Sequence, residues 1–306
     1  MRLVLGLGLA AMVACSFAAA ASAQGTSETL VAKPDIVALP GVAFNKSIAD
    51  SLPPSVRSAG ALRIATSLTP PISFHDANGK QIGIAADLAA AFGVVFGIRI
   101  DMTDVGGGPQ IVPSLLSGRF DMTISGINDD VELQKQADVI NYMYDGTTIM
   151  TVRGNPLGIR SMMDLCGKRV AVPVGTFQNR LATAASARCA TPMDIMSFPR
   201  MPDVLQAIRA GRADATVNGY ATSIYTTENQ IDRGVGLEAL REVRLAVGYL
   251  GMLTPKHRPD LRDAVVAALQ QMVDAGGYKA VMEKWGLGPL AVATVKINDA
   301  GNLPAN

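Results

Sequence analysis

Between residues 57 and 146, apolar positions change repeatedly from the spacing of a strand to that of a helix. Short apolar runs predict strands at 61–66, 98–102 and 120–125, and three-to-four-residue spacing predicts helices at 84–92, ending at Gly93, and at 111–116. Asp76-Ala77-Asn78-Gly79, between the first strand and the first helix, predicts a tight turn. Strands that alternate with helices in this way are typical of a parallel sheet covered by helices.

The same alternation begins again after residue 150. It predicts strands at 169–174, 194–198, 213–217 and 249–255, with helices at 177–186, 202–210 and 259–275. Two α/β units followed by a return segment predict two lobes joined by two crossing strands. We therefore expect residues 57–146 and 250–306 to form lobe 1 and residues 147–249 to form lobe 2, which also suits a chain longer than one hydrophobic core usually supports.

The first residues have the pattern of an export signal. A positive charge at Arg2 precedes an apolar stretch at 3–20, and Ala21-Ser22-Ala23 fits a cleavage site. We predict a signal peptide at 1–23 and a periplasmic mature protein. An N-terminal leader at 24–56 is rich in Pro, Ser and Ala, has no lasting period and is expected to lie extended on the surface. Two alternatives stay open: a membrane-spanning helix, and a lipoprotein anchored through Cys15.

Charge and residue usage argue against several classes of function. Removing residues 1–23 takes away Arg2, one of the 27 basic side chains, so that basic side chains equal the 26 acidic ones in number. A neutral chain gives no electrostatic reason to expect binding to nucleic acid or to an anionic membrane. The two histidines, His75 and His257, have no spacing for a zinc site or a Ser-His-Asp triad. We predict no metal, no cofactor and no catalytic residues.

Landmarks spread from residue 48 to residue 300 resemble one known family. They are Gly60-Ala61-Leu62-Arg63-Ile64, Gly83-Ile84-Ala85-Ala86-Asp87-Leu88-Ala89, Gly118-Arg119-Phe120-Asp121, Gly167-Lys168 followed by Gly175-Thr176, Gly211-Arg212-Ala213-Asp214-Ala215, and Gly277-Tyr278 followed by Lys284-Trp285-Gly286. Taken in order, they are similar to the family 3 periplasmic solute-binding proteins, which capture polar amino acids for ABC importers. The resemblance implies an α/β, two-lobed periplasmic-binding-protein (Venus-flytrap) fold of type II with two crossover strands. It also implies a small-molecule ligand, a membrane permease as partner, and a monomer.

The resemblance further places the ligand site at the ends of strands, where loops enter helices. It implies contacts from Ser67, Phe74, Ser125, Gly126, Asn128, Leu133, Gly175, Thr176, Phe177, Gly219 and Tyr220. Gly175 and Thr176, between a strand and a helix, form either an anion-binding nest of backbone N–H groups or only a helix cap. Hinge bending is expected in the two crossing segments, at Tyr144, Gly146, Thr148, Gly248 and Gly251.

Two positions depart from the family pattern. Members that bind α-amino acids hold the carboxylate with an arginine where this chain has Leu133, and the amino group with an aspartate where it has Gly219. Each charge-assisted hydrogen bond contributes about 1.5–3 kcal/mol, so losing both predicts weaker binding of an α-amino acid by about 3–6 kcal/mol. We expect a non-standard ligand unless another arginine, such as Arg153, Arg160 or Arg200, compensates.

Acidic residues follow the third predicted strand directly, in the run Asn128-Asp129-Asp130. They have two interpretations. The carboxylates favour a cationic ligand, or they belong to a solvated helix N-terminus, where acidic side chains complement the helix dipole.

Cys166 and Cys189 are the cysteines that remain once the signal peptide is removed, and export places them in an oxidising compartment. Similar solute-binding sequences carry Leu-Cys-Gly-Lys followed by a second cysteine at this distance, which implies a disulfide. Closing a loop of about 24 residues contributes roughly 3 kcal/mol. The alternative is two buried free thiols.

Catalysis is the competing class of function. Some relatives of this fold are dehydratases, and others assist periplasmic quinoprotein dehydrogenases. A carboxylate such as Glu132 could act as an acid, but the sequence identifies no partner group, so we predict a binding protein rather than an enzyme. A neighbouring permease and ATPase gene would favour uptake, whereas a neighbouring dehydrogenase gene would favour the accessory role.

Overall fold

A computed structural model describes residues 27–106, 108–228 and 236–300. The predicted signal peptide at 1–23 and Cys15 lie outside these residues. Lobe 1 begins with β1 (Ser27–Leu30), α1 (Pro34–Val37), α2 (Lys46–Ser51), α3 (Pro54–Ala59), β2 (Ala61–Thr66), β3 (Phe74–His75), β4 (Gln81–Ile82), α4 (Ile84–Phe96), β5 (Arg99–Asp104), α5 (Gly108–Leu116), β6 (Met122–Asn128) and α6 (Val131–Gln134). Strand β7 (Ala137–Val152) then crosses to lobe 2.

Lobe 2 contains β8 (Arg169–Pro173), α7 (Phe177–Ser186), β9 (Asp194–Phe198), α8 (Met201–Arg209), β10 (Ala215–Gly219), α9 (Tyr220–Glu228) and β11 (Leu237–Ala239). Strand β12 (Leu245–Pro255) returns to lobe 1, which ends with α10 (Pro259–Ala275), α11 (Gly277–Lys284) and β13 (Ala291–Ile297). Short 3-10 helices occupy Met162–Leu165 and Gly288–Leu290. In the described part of the chain, no helix combines the length and the apolar character that a membrane crossing requires.

The strands of both lobes form one continuous sheet because β7 and β12 belong to both lobes. In lobe 1 the order is β1-β5-β2-β6-β12-β7, with β2 parallel to β5 and to β6. In lobe 2 the order is β7-β10-β8-β9, with β8 parallel to β10 and to β9. In lobe 1, β2 lies between β5 and β6, and in lobe 2, β8 lies between β9 and β10. A crossing strand then pairs antiparallel with β6 in lobe 1 and with β10 in lobe 2. This is the two-lobed type II architecture that the resemblance implied.

The alanine-rich helix α4 is buried against the lobe 1 sheet, with Leu88 fully buried. A Cβ atom at Gly93 would lie 2.9 Å from Cγ1 of Ile100 on β5. Gly93 therefore permits close packing of the helix on the sheet. The helix does not end there, as the sequence predicted, but continues to Phe96 and is capped by Gly97, whose φ is 65°.

The N-terminal leader is not the extended surface segment that the sequence predicted. β1 adds an antiparallel edge strand to β5, and α1 to α3 follow it. Ile36, Val42, Leu52 and Val56 are buried in the lobe 1 core. No period was visible because each of these apolar residues belongs to a different short segment.

Lobe 2 is smaller and has a separate apolar cluster on each face of its sheet. A disulfide joins Cys166, before β8, to Cys189, after α7, and their Cα atoms are 5.5 Å apart. The predicted disulfide is confirmed, and the alternative of two free thiols is wrong.

The predicted hinge residues lie where the two crossing strands pair. The rings of Tyr144 on β7 and Tyr249 on β12 are 4.8 Å apart, and the register between the strands shifts on both sides of this contact. Gly251 is required for packing, since a Cβ atom there would overlap the side chain of Val139. Rotation at this crossing stays a prediction.

Candidate functional site

A cavity of about 250 Å³ lies between the lobes. Helix α5, the end of β6 and helix α6 form its lobe 1 wall, and the start of α7 forms its lobe 2 wall. It is lined by Pro109, Val112, Gly126, Ile127, Asn128, Asp130, Glu132, Leu133, Gln136, Gly175, Thr176, Phe177, Gln178 and Arg180. The cavity brings together six of the residues that the sequence proposed for ligand contact, namely Gly126, Asn128, Leu133, Gly175, Thr176 and Phe177.

Leu133, where the resemblance implied an arginine in related proteins, belongs to the lobe 1 wall. Its side chain is 7% exposed and packs with Ile111, Leu115 and Ala137 in a small apolar cluster. The backbone N–H of Leu133 donates a hydrogen bond to Oδ1 of Asp130 at 2.8 Å, which caps the N-terminus of α6. This wall is therefore apolar at the position of the family's cation.

Asp129 and Asp130 both have partners within the protein. Asp129 accepts hydrogen bonds from Asn141 Nδ2 at 2.8 Å, Gln134 Nε2 at 2.8 Å and the backbone N–H of Asp299 at 3.1 Å. Burial raises the pKa of Asp129 above its usual value, and these hydrogen bonds act in the opposite direction. Asp130 belongs to a helix N-terminus, as one of the two interpretations predicted, whereas Asp129 is part of the packing against β7. Preference for a cationic ligand stays a prediction.

Gly175 and Thr176 form the turn that begins α7 on the lobe 2 wall. Gly175 has a φ of 71°, in the left-handed region that favours glycine. Oγ1 of Thr176 accepts a hydrogen bond from the backbone N–H of Asn179 at 3.1 Å and donates one to the carbonyl of Pro173 at 2.8 Å. Thr176 is thus a helix cap, and the N-terminus it caps lines the cavity. Anion binding by this turn stays a prediction.

Two polar contacts connect the walls across the cavity. Nε2 of Gln178 donates a hydrogen bond to Oδ1 of Asn128 at 3.0 Å. Arg180 forms an ion pair with Asp130, and its guanidinium carbon lies 5.9 Å from the centroid of the Phe177 ring. Arg180 is the cationic side chain among the lining residues of this cavity.

The sequence analysis did not identify Arg180 and named three other arginines as substitutes. Arg153 follows the end of β7, Arg200 precedes α8, and Arg160 lies between these elements; none of these three residues lines the cavity. Arg180 lies four residues after Thr176, which puts it on the face of α7 that begins at the cap. That spacing is the signal that could have identified it.

Ser67 and Ser125, two of the predicted contact residues, are not among the residues that line the cavity. Their Oγ atoms are 2.7 Å apart, and both side chains are buried. The hydroxyl of Tyr142 donates to the carbonyl of Ser125 at 3.1 Å. These contacts tie the end of β2 to β6 and β7, which supports the lobe 1 wall.

Phe74 lies in an aromatic cluster, with its ring centroid 5.8 Å from that of Tyr225 and 5.6 Å from that of Trp285. A second cavity, of about 370 Å³, is lined by Ile224, Tyr225, Glu228, Lys284, Trp285, Gly286 and Leu287. None of the predicted contact residues lines this second cavity. We therefore take the cavity around Leu133 as the candidate site.

Gly219 ends β10 next to a buried carboxylate. A Cβ atom at Gly219 would lie 3.2 Å from Oδ2 of Asp145 on β7, and Oδ1 of Asp145 accepts a hydrogen bond from the N–H of Ala221 at 3.0 Å. Burial raises the pKa of Asp145 to about 6, although the hydrogen bonds from Ala221 and Gly146 and the charge of Arg244 oppose the shift.

Tyr220 begins α9 beside this carboxylate, with the guanidinium of Arg244 at 3.7 Å from its ring centroid. Neither Gly219 nor Tyr220 lines the candidate cavity. No group of three or more His, Cys, Asp or Glu residues suited to a metal ion occurs in the described ranges.

Comparison with known proteins gives a consistent result. A profile of the bacterial extracellular solute-binding proteins, family 3, matches residues 62–288. The arginine-binding protein ArgT of Corynebacterium glutamicum is 29% identical over 231 residues, which are 71% of this chain and 71% of ArgT. The L-cystine-binding protein TcyJ of Escherichia coli K12 is 26% identical over 253 residues, with 78% of this chain and 88% of TcyJ covered.

Solved structures agree with these relatives. An ancestral arginine-binding protein bound to arginine has a TM-score of 0.67 to this chain and is 28% identical to it. The match covers 74% of this chain and 98% of that protein. The ancestral amino acid-binding protein AncCDT-1, a precursor of cyclohexadienyl dehydratase, has a TM-score of 0.68 and is 29% identical. The match covers 76% of this chain and 97% of AncCDT-1.

Proposed function

Because the chain belongs to the bacterial extracellular solute-binding proteins of family 3, we propose that it is the periplasmic substrate-binding component of an ABC importer. It captures a small polar solute in the cavity between the lobes and presents that solute to a membrane permease. The names of its relatives, which bind arginine and L-cystine, support an amino acid or an amino acid derivative as the class of ligand.

The single observation that carries the choice of ligand is the absence of both charged contacts of the family pattern. Leu133 packs in an apolar cluster, and Gly219 lies beside the buried carboxylate of Asp145. The cavity instead presents the amides of Asn128 and Gln178. A common L-α-amino acid held in the family's manner would lose about 3–6 kcal/mol of binding free energy. A non-standard ligand is therefore favoured.

Capture requires that the lobes move relative to each other. The two walls belong to different lobes, so a ligand that contacts both favours the closed arrangement by its differential contacts. The movement is carried by the crossing strands at Tyr144, Gly146, Thr148, Gly248 and Gly251. Support comes from the position of these residues, since β7 and β12 pair with each other between the two lobes.

A catalytic or accessory function is the weaker candidate. The likeness to AncCDT-1 favours it only because that amino acid-binding protein is a precursor of cyclohexadienyl dehydratase. Glu132 lines the cavity as a possible acid, but its carboxylate pairs with Lys135 at 2.6 Å. The side chains of both residues are well exposed to solvent.

A thermal-shift screen tests the proposed function. The purified mature protein is heated with the twenty common L-amino acids, their D enantiomers, amines, opines and small aromatic acids. A true ligand at 100 times its dissociation constant raises the free energy of unfolding by about 2.7 kcal/mol. We expect at least one non-standard compound to stabilise the protein and the common L-amino acids to have little effect. A screen in which no small polar solute stabilises the protein would count against the function.

A further inference from the structure

Each lobe contributes charge of one sign to the candidate cavity. The charged lining residues are Asp130 and Glu132 from lobe 1 and Arg180 from lobe 2. Glu132 pairs with Lys135 within lobe 1. Asp130 and Arg180 pair with each other, so their bond joins the two walls of the cavity.

A ligand can separate this ion pair at little cost. The side chain of Arg180 is 53% exposed and that of Asp130 is 19% exposed, and ion pairs so accessible to water contribute little to stability. Asp130 also keeps its capping bond to the backbone N–H of Leu133 through its other oxygen. The separated charges must nevertheless be satisfied, because a closed cavity removes them from water.

The charge on the ligand follows from this requirement. An anion would pair with Arg180 and leave Asp130 without a partner, and a cation would do the reverse. A zwitterion satisfies both side chains at once and restores the charge balance that the ion pair has without a ligand.

We infer that Asp130 and Arg180 are the charged contacts of the ligand site and that the ligand is a zwitterion. Its ammonium binds Asp130 in lobe 1, and its carboxylate binds Arg180 in lobe 2, next to the N-terminus of α7, which also favours an anion. The inference rests on the proposed function, and it names the class of solute that this cavity takes.

This arrangement reverses the pattern that the family resemblance implies, in which the cation belongs to lobe 1 at position 133 and the anion to lobe 2 at position 219. The apolar wall at Leu133 and Phe177 is then left to the rest of the ligand, so these contacts fit α-amino acids of either handedness as well as achiral zwitterions.

Calorimetric titration with matched compounds tests the class of ligand. The probes are D and L enantiomers of the common amino acids, γ-aminobutyrate, and two compounds of single charge, propionate and ethylamine. We expect at least one of the zwitterions to bind and the single-charge compounds to bind at least about tenfold more weakly.

Substitution of the two charged residues tests their assignment, with the tightest zwitterion of that series as probe. Asp130→Asn removes the charge and keeps a good helix-capping residue, and Arg180→Gln removes the partner charge on an exposed part of α7. Each should weaken binding about tenfold to about hundredfold, and Arg180→Lys should weaken it less. Arg188→Gln, on an exposed residue of the same lobe outside the cavity lining, is the matched control and should leave the affinity unchanged.

The outcomes separate this inference from the proposed function. Tightest binding by an anion, a cation or a neutral solute overturns the inference and leaves a solute-binding function in place. Equal affinity of Asp130→Asn, Arg180→Gln and the control for a zwitterion overturns it as well. Failure of every solute to bind the unaltered protein contradicts both. Unfolding curves of each variant show whether a loss of affinity comes from a loss of fold.

Discussion

Leu133 and Gly219 both stand where the family resemblance implies a charged side chain. The structure surrounds these two positions differently. Leu133 lines the cavity and packs on an apolar cluster, within one turn of Asp130. Gly219 is outside the cavity lining and has the carboxylate of Asp145 against the place where its own Cβ would be. A missing charge in lobe 1 therefore leaves an apolar wall, whereas a missing charge in lobe 2 leaves room for a carboxylate from the crossing strand.

The largest effect that we expect from this comparison comes from adding the family's carboxylate at position 219. In Gly219→Asp, two carboxylates share one buried space, so one of them must lose its charge or disturb the packing. We expect a loss of about 4 kcal/mol in the free energy of unfolding at pH 7.5, measured by urea denaturation. The loss should be smaller at pH 5, where Asp145 is protonated in the folded state.

Two matched variants sharpen this result. Gly219→Ala adds only the Cβ contact and should cost about 1 kcal/mol. Leu133→Arg should cost about 1–2 kcal/mol, because the stem of the arginine can stay on the apolar cluster while its guanidinium reaches the cavity. Equal losses for Gly219→Asp and Gly219→Ala would show that Asp145 does not occupy the space beside position 219.

The next largest effect concerns the pH dependence of stability through Asp145. Burial raises its pKa in the folded protein to about 6, above the value near 3.9 of an unfolded chain. The folded state therefore holds this proton more tightly, and the contribution of Asp145 to stability falls as pH rises from about 4 to about 6. The total change is about 3 kcal/mol.

Asp145→Asn removes this titration and should gain stability relative to the unaltered protein as the pH is raised across that interval. Urea denaturation of both proteins at pH 4, 5, 6 and 7.5 measures the difference. Carboxyls with lowered pKa values, such as Asp138 and Asp214, act in the opposite direction in both proteins and so cancel in the comparison. A difference that is independent of pH would mean that Asp145 titrates normally.

Local signals in the sequence were sufficient to predict several elements of the fold. The predicted bounds of 177–186, 194–198 and 259–275 coincide with α7, β9 and α10. These elements have clear boundaries in the sequence: Thr176 caps α7, Pro259 begins α10 and Gly276 ends it. Such boundaries depend on a few neighbouring residues and need no tertiary information.

Elements that depend on distant partners were not predicted. Strand β7 is buried along nearly all of its 16 residues, so it has no alternation, and the sequence identified only its central part as a crossing segment. Strand β13 was missed because it forms only by pairing with β7. In the same way, the family resemblance predicted which positions contact a ligand, but Asp145 becomes relevant only through the contact with Gly219 that folding creates.

The crystal structure of the protein with the compound that binds most tightly is the most direct test of the central claim, that the ligand site is the cavity around Leu133. The account predicts ligand density between α6 and the start of α7, within hydrogen-bond distance of Asn128, Thr176 or Arg180. Density against Gly219 and Tyr220, or in the cavity lined by Tyr225 and Trp285, would contradict it.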